Sequence, residues 1–186
     1  SCSLLTIALK DKGYRAIRLT GAQEGIKTDG TYNRARITAI EASRVRRELK
    51  QRKIVVVCGF QGIAEDMEVT TLGRGGSDLS AVALAAELGS NRCEIYTDVE
   101  GVFTADPRIV PEARKLTDIG YEEMLEMATY GAKVMHPRAV ELGEIYDLPI
   151  YVASSFVDKP GTLIHGGISM EVKNKARGIA IQVLKF

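Results

Sequence analysis

Histidine is scarce and tryptophan is absent: His136 and His165 are the two histidines in 186 residues. Neither stands at metal-ligand spacing with a cysteine, which argues against a structural zinc site. Cysteine is sparse as well. Cys2, Cys58 and Cys93 are odd in number, widely spaced and set in apolar runs. That pattern predicts buried thiols in a reducing compartment, with the cytosol the natural address, rather than a disulfide framework. No apolar run approaches the ~20 residues of a membrane span, and no basic-plus-apolar leader opens the chain, so a soluble protein is expected. An excess of one charge is missing too. Lys+Arg of 25 against Asp+Glu of 24 leaves a net charge of +1, so no global field gathers nucleic acid or anionic lipid, and any anion site must be local. Internal repeats and low-complexity segments are also absent.

What remains is an ordinary globular balance, 45% hydrophobic and 26% charged, in a length that suits one domain with a substantial core. Ser1-Cys2-Ser3 runs into Leu4, Leu5, Ile7 and Leu9, an apolar-rich helical stretch that ends at Gly13. With no polar lead-in, this reads as a start inside a longer sequence. Residues 14–20 alternate as a strand would, and Gly21 stops them. Residues 33–52 read as one helix, with Ile37, Ile40, Val45 and Leu49 near helical spacing and Arg44, Arg46, Arg47 and Lys50 as a solvated face. The β-branched run at 53–58 suits a parallel strand covered on both faces. Residues 77–88 predict a helix capped by Ser77 and stopped by Gly89. Strands are expected at 93–97 and 148–154, and helices at 121–130 and 139–146. The alternation predicts an α/β protein, an α/β/α sandwich around a largely parallel sheet. Residues 178–186 alternate again and predict a strand that begins a separate module.

Two nucleotide-binding patterns fail on inspection. Gly21 to Thr28 approaches P-loop spacing, but Ile26 stands where the glycine before Lys27 is required. Gly73-Arg-Gly-Gly76 holds only the first half of a dinucleotide fingerprint. The same glycines nonetheless lead into a helix, so backbone N–H groups can face an anion and Arg74 can add a fork for a carboxylate or phosphate. Asp78 in the same turn would repel a simple anion. A zwitterion resolves the conflict, its carboxylate at Arg74 and Ser77 and its ammonium at Asp78. The plainer alternative is a glycine-rich turn in which Asp78 only complements the helix dipole.

Thr70-Thr-Leu-Gly-Arg-Gly-Gly-Ser-Asp78 resembles the signature of the amino acid kinase superfamily in its aspartokinase form. Gly59-Phe-Gln-Gly62, residues 96–108 and Gly131-Ala-Lys-Val-Met-His-Pro137 match in order and spacing, so the resemblance covers residues 1 to about 164. It implies an amino acid kinase fold over residues 1–168, followed at 169–186 by a linker and the first strand of an ACT-like regulatory domain. It also implies transfer of the γ-phosphoryl group of ATP, with Mg²⁺, to the side-chain carboxylate of aspartate, the first step toward lysine, threonine and methionine. Aspartate would be bound by Phe60, Arg74, Ser77 and Asp78, with Asp78 also orienting a phosphate-binding lysine. The nucleotide side would be Thr97, Asp98, Phe103, Arg108, Lys133 and Val134. Position 103 is often tyrosine in that family, so ring packing carries over and a hydroxyl contact does not. No protein ligand to the metal is implied. The complete enzyme is expected to be a homo-oligomer that uses neither nucleic acid nor membrane. The family's lysine-bearing loop, the glutamate that follows it and its paired ACT domains do not fall within these 186 residues, and the isolated stretch is expected to be inactive. Competing readings are a relative acting on glutamate or a nucleoside monophosphate, and a non-catalytic nucleotide-binding module.

Overall fold

A computed structural model describes residues 1–131 and 134–167, and the chain divides into two units, Ser1–Leu88 and Gly89–Phe186. The first unit runs α1 (Cys2–Asp11), β1 (Ala16–Leu19), α2 (Gly21–Glu24), β2 (Ile26–Thr28), β3 (Ile37–Ile40), α3 (Ser43–Lys50), β4 (Ile54–Val57), β5 (Gln61–Ile63), β6 (Val69–Thr71) and α4 (Gly76–Leu88). The β-branched run at β4 pairs in parallel with β1, from Ala16 opposite Ile54 to Leu19 opposite Val57. A second sheet has the order β3-β2-β5-β6. Within it β2 and β5 are parallel, while the β2–β3 and β5–β6 pairs are antiparallel. Leu19, Ala42, Val45 and Leu84 form a buried cluster joined by Ile17, Ile40, Val55, Val57 and Leu88. Each fully buried Leu or Val there contributes about 1.5–3 kcal/mol.

The single helix expected over residues 33–52 is instead a strand and a helix. Ile37–Ile40 becomes β3 because β2 offers it a ladder, with Ile26 opposite Ile40. Paired backbone groups and β-branched side chains suited to a pleated surface outweigh a weak helical preference. Gly25, at φ 84°, accepts a hydrogen bond from Glu41 N at 2.9 Å and closes the β2–β3 corner. The basic face of α3 is also more committed than a solvated face. Arg46 pairs with Glu87 at 3.0 Å, and the buried Glu48 is held by Lys53 at 2.6 Å and Arg47 at 3.6 Å. The Lys53 hydrogen bond leads in holding the Glu48 carboxyl below its usual range.

The second unit runs β7 (Cys93–Thr97), β8 (Asp118–Gly120), α5 (Tyr121–Thr129), α6 (Pro137–Ile145), β9 (Ile150–Ser154) and β10 (Thr162–His165). Its sheet has the order β7-β9-β10-β8, with β7–β9 and β10–β8 parallel and β9–β10 antiparallel. Ile119, Met124, Val140, Ile150, Val152 and Ile164 are wholly buried. Pro137 occupies the first turn of α6, where its missing N–H is not needed, and His136 Nδ1 accepts from Arg138 N at 3.3 Å as the cap. Buried Thr162 pins the long β7–β8 connection: its hydroxyl accepts from Val102 N at 2.9 Å and donates to Leu116 O at 2.6 Å.

The α/β class is as expected, its parallel pairs extended by antiparallel neighbours. Of the three thiols, which are all free, only Cys93 is buried. Cys2 and Cys58 are half-buried, and Cys2 Sγ donates to Val57 O at 3.5 Å. The strand expected at residues 178–186 and the boundary at 168/169 lie outside the described residues. Among the described residues no helix is long and apolar enough to cross a membrane.

Candidate functional site

Between β6 and α4 the chain turns on two left-handed glycines, Gly73 at φ 76° and Gly75 at φ 70°. That region is open to glycine at little cost and to L residues with side chains at about 1–2 kcal/mol. Gly76 N donates to Gly73 O at 2.9 Å, and Leu79 N to Gly75 O at 3.1 Å. The helix therefore starts at Gly76, one residue before the expected start. Ser77 is not its cap but its second residue, because the left-handed turn at Gly75 has already aligned the chain. Arg74 and Ser77 are exposed and Asp78 is half-buried. The first N–H groups of a helix lack intrahelical acceptors and carry its positive end, which suits an acid ligand.

Phe60 arrives from the β4–β5 connection with φ 72°, an uncommon conformation for a bulky residue. Its carbonyl accepts from Leu72 N at 3.0 Å. Its ring lies against the first residue of α4: a Cβ on buried Gly76 would come within 2.8 Å of Phe60 Cδ2 and 2.9 Å of Leu72 Cβ. Ring and helix start are thus held together, while the Phe60 side chain keeps an exposed side. Ser80, which sequence reasoning passed over, lies beneath them. Buried, it accepts from Phe60 N at 3.1 Å and donates to Ser77 O at 2.9 Å. The one signal for it was a small hydroxyl residue one turn after Ser77, too common a pattern to single out.

The residues assigned to the nucleotide are placed in the second unit. Thr97 ends β7, its carbonyl accepting from Ser155 N at 2.8 Å and Ser155 Oγ at 3.0 Å, while its hydroxyl donates to Asp98 Oδ1 at 3.1 Å. Phe103 is half-buried and bridges to Lys115. Arg108 carries an 84% exposed side chain whose guanidinium grips Asp106, Nε to Oδ1 at 3.0 Å and a terminal nitrogen to Oδ2 at 2.8 Å. Arg108 N adds a bond to the same Oδ1 at 2.9 Å. The hydrogen bond and charge of Asp106 push Arg108 above its ordinary value, and Asp98 adds to the effect. Asp106 is a site neighbour that the sequence reading missed. Its signal was the Asp-x-Arg spacing, in which an Asx-type turn brings the carboxylate to a backbone N–H two residues on. Val134 is half-buried in the turn before α6, and Lys133 lies outside the described residues.

No group of three or more His, Cys, Asp or Glu side chains able to hold a metal occurs among the described residues. One acid belongs to neither set of assigned residues. Glu24, at the end of α2, is buried, neither carboxylate oxygen has a hydrogen-bond partner, and burial pushes it up to about 8.

Comparison with known proteins follows the same lines. The model of the Amino acid kinase family matches residues 1–154. Aspartokinase 2 of Bacillus subtilis strain 168 is 55% identical over 180 residues, covering 97% of this chain and 44% of the relative. The aspartokinase of Geobacillus stearothermophilus is 52% identical over 182 residues, 98% of this chain and 45% of the relative. Among solved structures, E. coli aspartokinase III in complex with aspartate and ADP superposes with a TM-score of 0.84 at 32% identity, over 91% of this chain and 39% of that one. The chain spans less than half the length of the curated relatives it matches.

Proposed function

Because this chain belongs to the amino acid kinase family, we propose that it is part of the catalytic region of an ATP-dependent aspartate kinase, forming 4-phospho-L-aspartate. The observation that carries this reading is the aromatic ring of Phe60 seated on the start of α4, beside exposed Arg74 and Ser77 and half-buried Asp78. A small amino acid meets there a helix N-terminus and a guanidinium for its α-carboxylate, a carboxylate for its ammonium, and a ring that limits its size. The aspartokinases of Bacillus subtilis and Geobacillus stearothermophilus at 52–55% identity, and the aspartate and ADP of the E. coli structure, point the same way.

The side chain of aspartate, with an ordinary pKa near about 3.9, is ionised at neutral pH and needs no general base. One of its carboxylate oxygens forms a bond to the γ-phosphorus of ATP, the γ-phosphorus–oxygen bond to the β-phosphate breaks, and ADP departs with that electron pair. The protein's task is position and charge. Arg74 and Ser77 hold the α-carboxylate, Phe60 shields the acceptor, and Asp78 faces the ammonium and orients a phosphate-binding lysine.

For the nucleotide, Thr97, Asp98, Phe103, Arg108, Lys133 and Val134 are the binding residues. Two of the five N–H donors of Arg108 are directed to Asp106, which fixes the plane of the fork and leaves the others for phosphate oxygens. A magnesium ion would be carried mainly by triphosphate oxygens and water. Such an ion would neutralise part of the phosphate charge. Homo-oligomeric assembly of the complete enzyme and a cytosolic location belong to the same proposal.

The test is hydroxylamine trapping of the acyl phosphate by the complete protein with ATP, Mg²⁺ and each of aspartate, glutamate and UMP. Trapped product with aspartate alone is the expected result. Turnover of glutamate or UMP in its place, or ATP binding without turnover of any acceptor, overturns the assignment.

A further inference from the structure

Phe60 has a backbone problem that its own sequence does not solve. A left-handed φ of 72° at a phenylalanine is strained by about 1–3 kcal/mol and persists only when its surroundings over-determine it. Two hydrogen bonds flank the strained residue. Leu72 N fixes its carbonyl at 3.0 Å, and Ser80 Oγ accepts its N–H at 3.1 Å. A serine inside a helix commonly bonds back to a carbonyl three or four residues earlier, and the 2.9 Å bond to Ser77 O is of that kind. What sets Ser80 apart is that the same oxygen also accepts from a different segment.

We infer that Ser80 is a positioning residue for the acceptor site, its hydroxyl setting Phe60 at a fixed height above Ser77 and the start of α4. The inference rests on the acceptor-site reading above. Ser80 would not touch the substrate. Its hydroxyl joins the two stretches that do, Phe60 on the β4–β5 connection and Ser77 in the first turn of α4. The neighbours leave little slack for another arrangement. A Cβ on Gly59 would come within 2.6 Å of Ser80 Oγ, so a glycine before Phe60 lets the loop approach the hydroxyl. A side chain on Gly76 would collide with the Phe60 ring, so the glycine lets the ring lie directly on the start of α4. Removing the hydroxyl takes away the acceptor of the part-buried Phe60 N–H, and the strained loop is then free to relax. The ring would lift or turn, the acceptor pocket would lose its defined depth, and discrimination between aspartate and its one-methylene-longer homologue would weaken.

The experiment compares wild type, Ser80→Ala and Ser80→Thr in the complete protein. It measures KM for aspartate, KM for ATP, the glutamate-to-aspartate ratio of kcat/KM, and hydrogen exchange at the Phe60 amide. Threonine keeps a hydroxyl able to make the same backward bond. Ser80→Ala is expected to raise KM for aspartate about tenfold, to leave KM for ATP within about twofold, to raise the glutamate ratio, and to speed exchange at Phe60, with Ser80→Thr restoring most of each. Ser80→Cys serves for the same comparison if the alanine variant does not fold. Unchanged aspartate KM, or equal loss for both substrates that threonine does not rescue, overturns the positioning role. Wild type that does not phosphorylate aspartate overturns the functional reading itself, which separates the two failures.

Discussion

Glu24 is a carboxyl buried beside Gly25 with both oxygens unpartnered. Burial raises it from an ordinary 4.5 to about 8, so it is neutral in the fold over most of the physiological range. The sign of the consequence follows from proton counting. Below about pH 4.5 folded and unfolded chains both hold the proton, and the group has no effect on the pH dependence. Between there and about 8 the unfolded chain has released a proton that the folded chain keeps, so stability falls as pH rises, by at most about 1.4 kcal/mol per unit. Above that range the loss levels off. Denaturant melts at intervals from pH 5 to 9 should show this slope in wild type and a flatter profile in Glu24→Gln; parallel profiles would mean that Glu24 is ionised or paired. At the same scale, Asp78→Ala should lower turnover by several orders of magnitude while ATP binding survives, because Asp78 is assigned to aspartate and a lysine rather than to nucleotide. Full turnover in a steady-state assay would remove Asp78 from the mechanism.

Among the elements, the short strands of the first unit depend most on their neighbours. Thr28 on β2 and Thr70 on β6 exchange a buried hydroxyl bond at 2.7 Å across the intervening strand β5. They can meet because β5 carries Gly62 there: a Cβ would run into Thr28 Cγ2 and come within 3.2 Å of Thr70 Oγ1. Thr70→Val removes one partner and strands the other hydroxyl, for an expected loss of about 1–3 kcal/mol. The double variant with Thr28→Val should recover part of that loss, since both hydroxyls are then gone. Urea denaturation of the single and double variants measures the coupling, and additive losses would show that the bond contributes nothing. None of β2, β5 or β6 was legible beforehand, since three residues are too few for a period of two to register. The longer elements α1, β1, β4, α4, β7, α5, α6 and β9 were legible from runs and caps. Residues 33–52 were misread because Ile37 and Ile40 fit a helical stripe as well as they fit a strand edge.

The whole molecule sorts the assigned residues by unit, with Phe60, Arg74, Ser77 and Asp78 in the first and Thr97, Asp98, Phe103, Arg108 and Val134 in the second. If each unit serves one substrate, defects should separate cleanly. Arg74→Ala is expected to raise KM for aspartate by about 10- to 100-fold at unchanged ATP affinity, in line with about 1.5–3 kcal/mol for a bond to a charged group. Arg108→Ala should weaken ATP by a similar factor at unchanged aspartate KM. Isothermal titration with ATP and steady-state kinetics with aspartate make the comparison, and a crossed defect in either variant would overturn the division. The sequence by itself determined the α/β class, the glycine-rich turn before α4 and the family resemblance, because runs, glycines and ordered motifs are local properties of a chain. Tertiary structure alone decided that Ser77 lies inside α4, that Ser80 ties Phe60 to it and that Glu24 is buried without a partner. Each of those depends on which distant or turn-related atoms come within hydrogen-bond reach or shut out water, and spacing along a chain does not encode that distance.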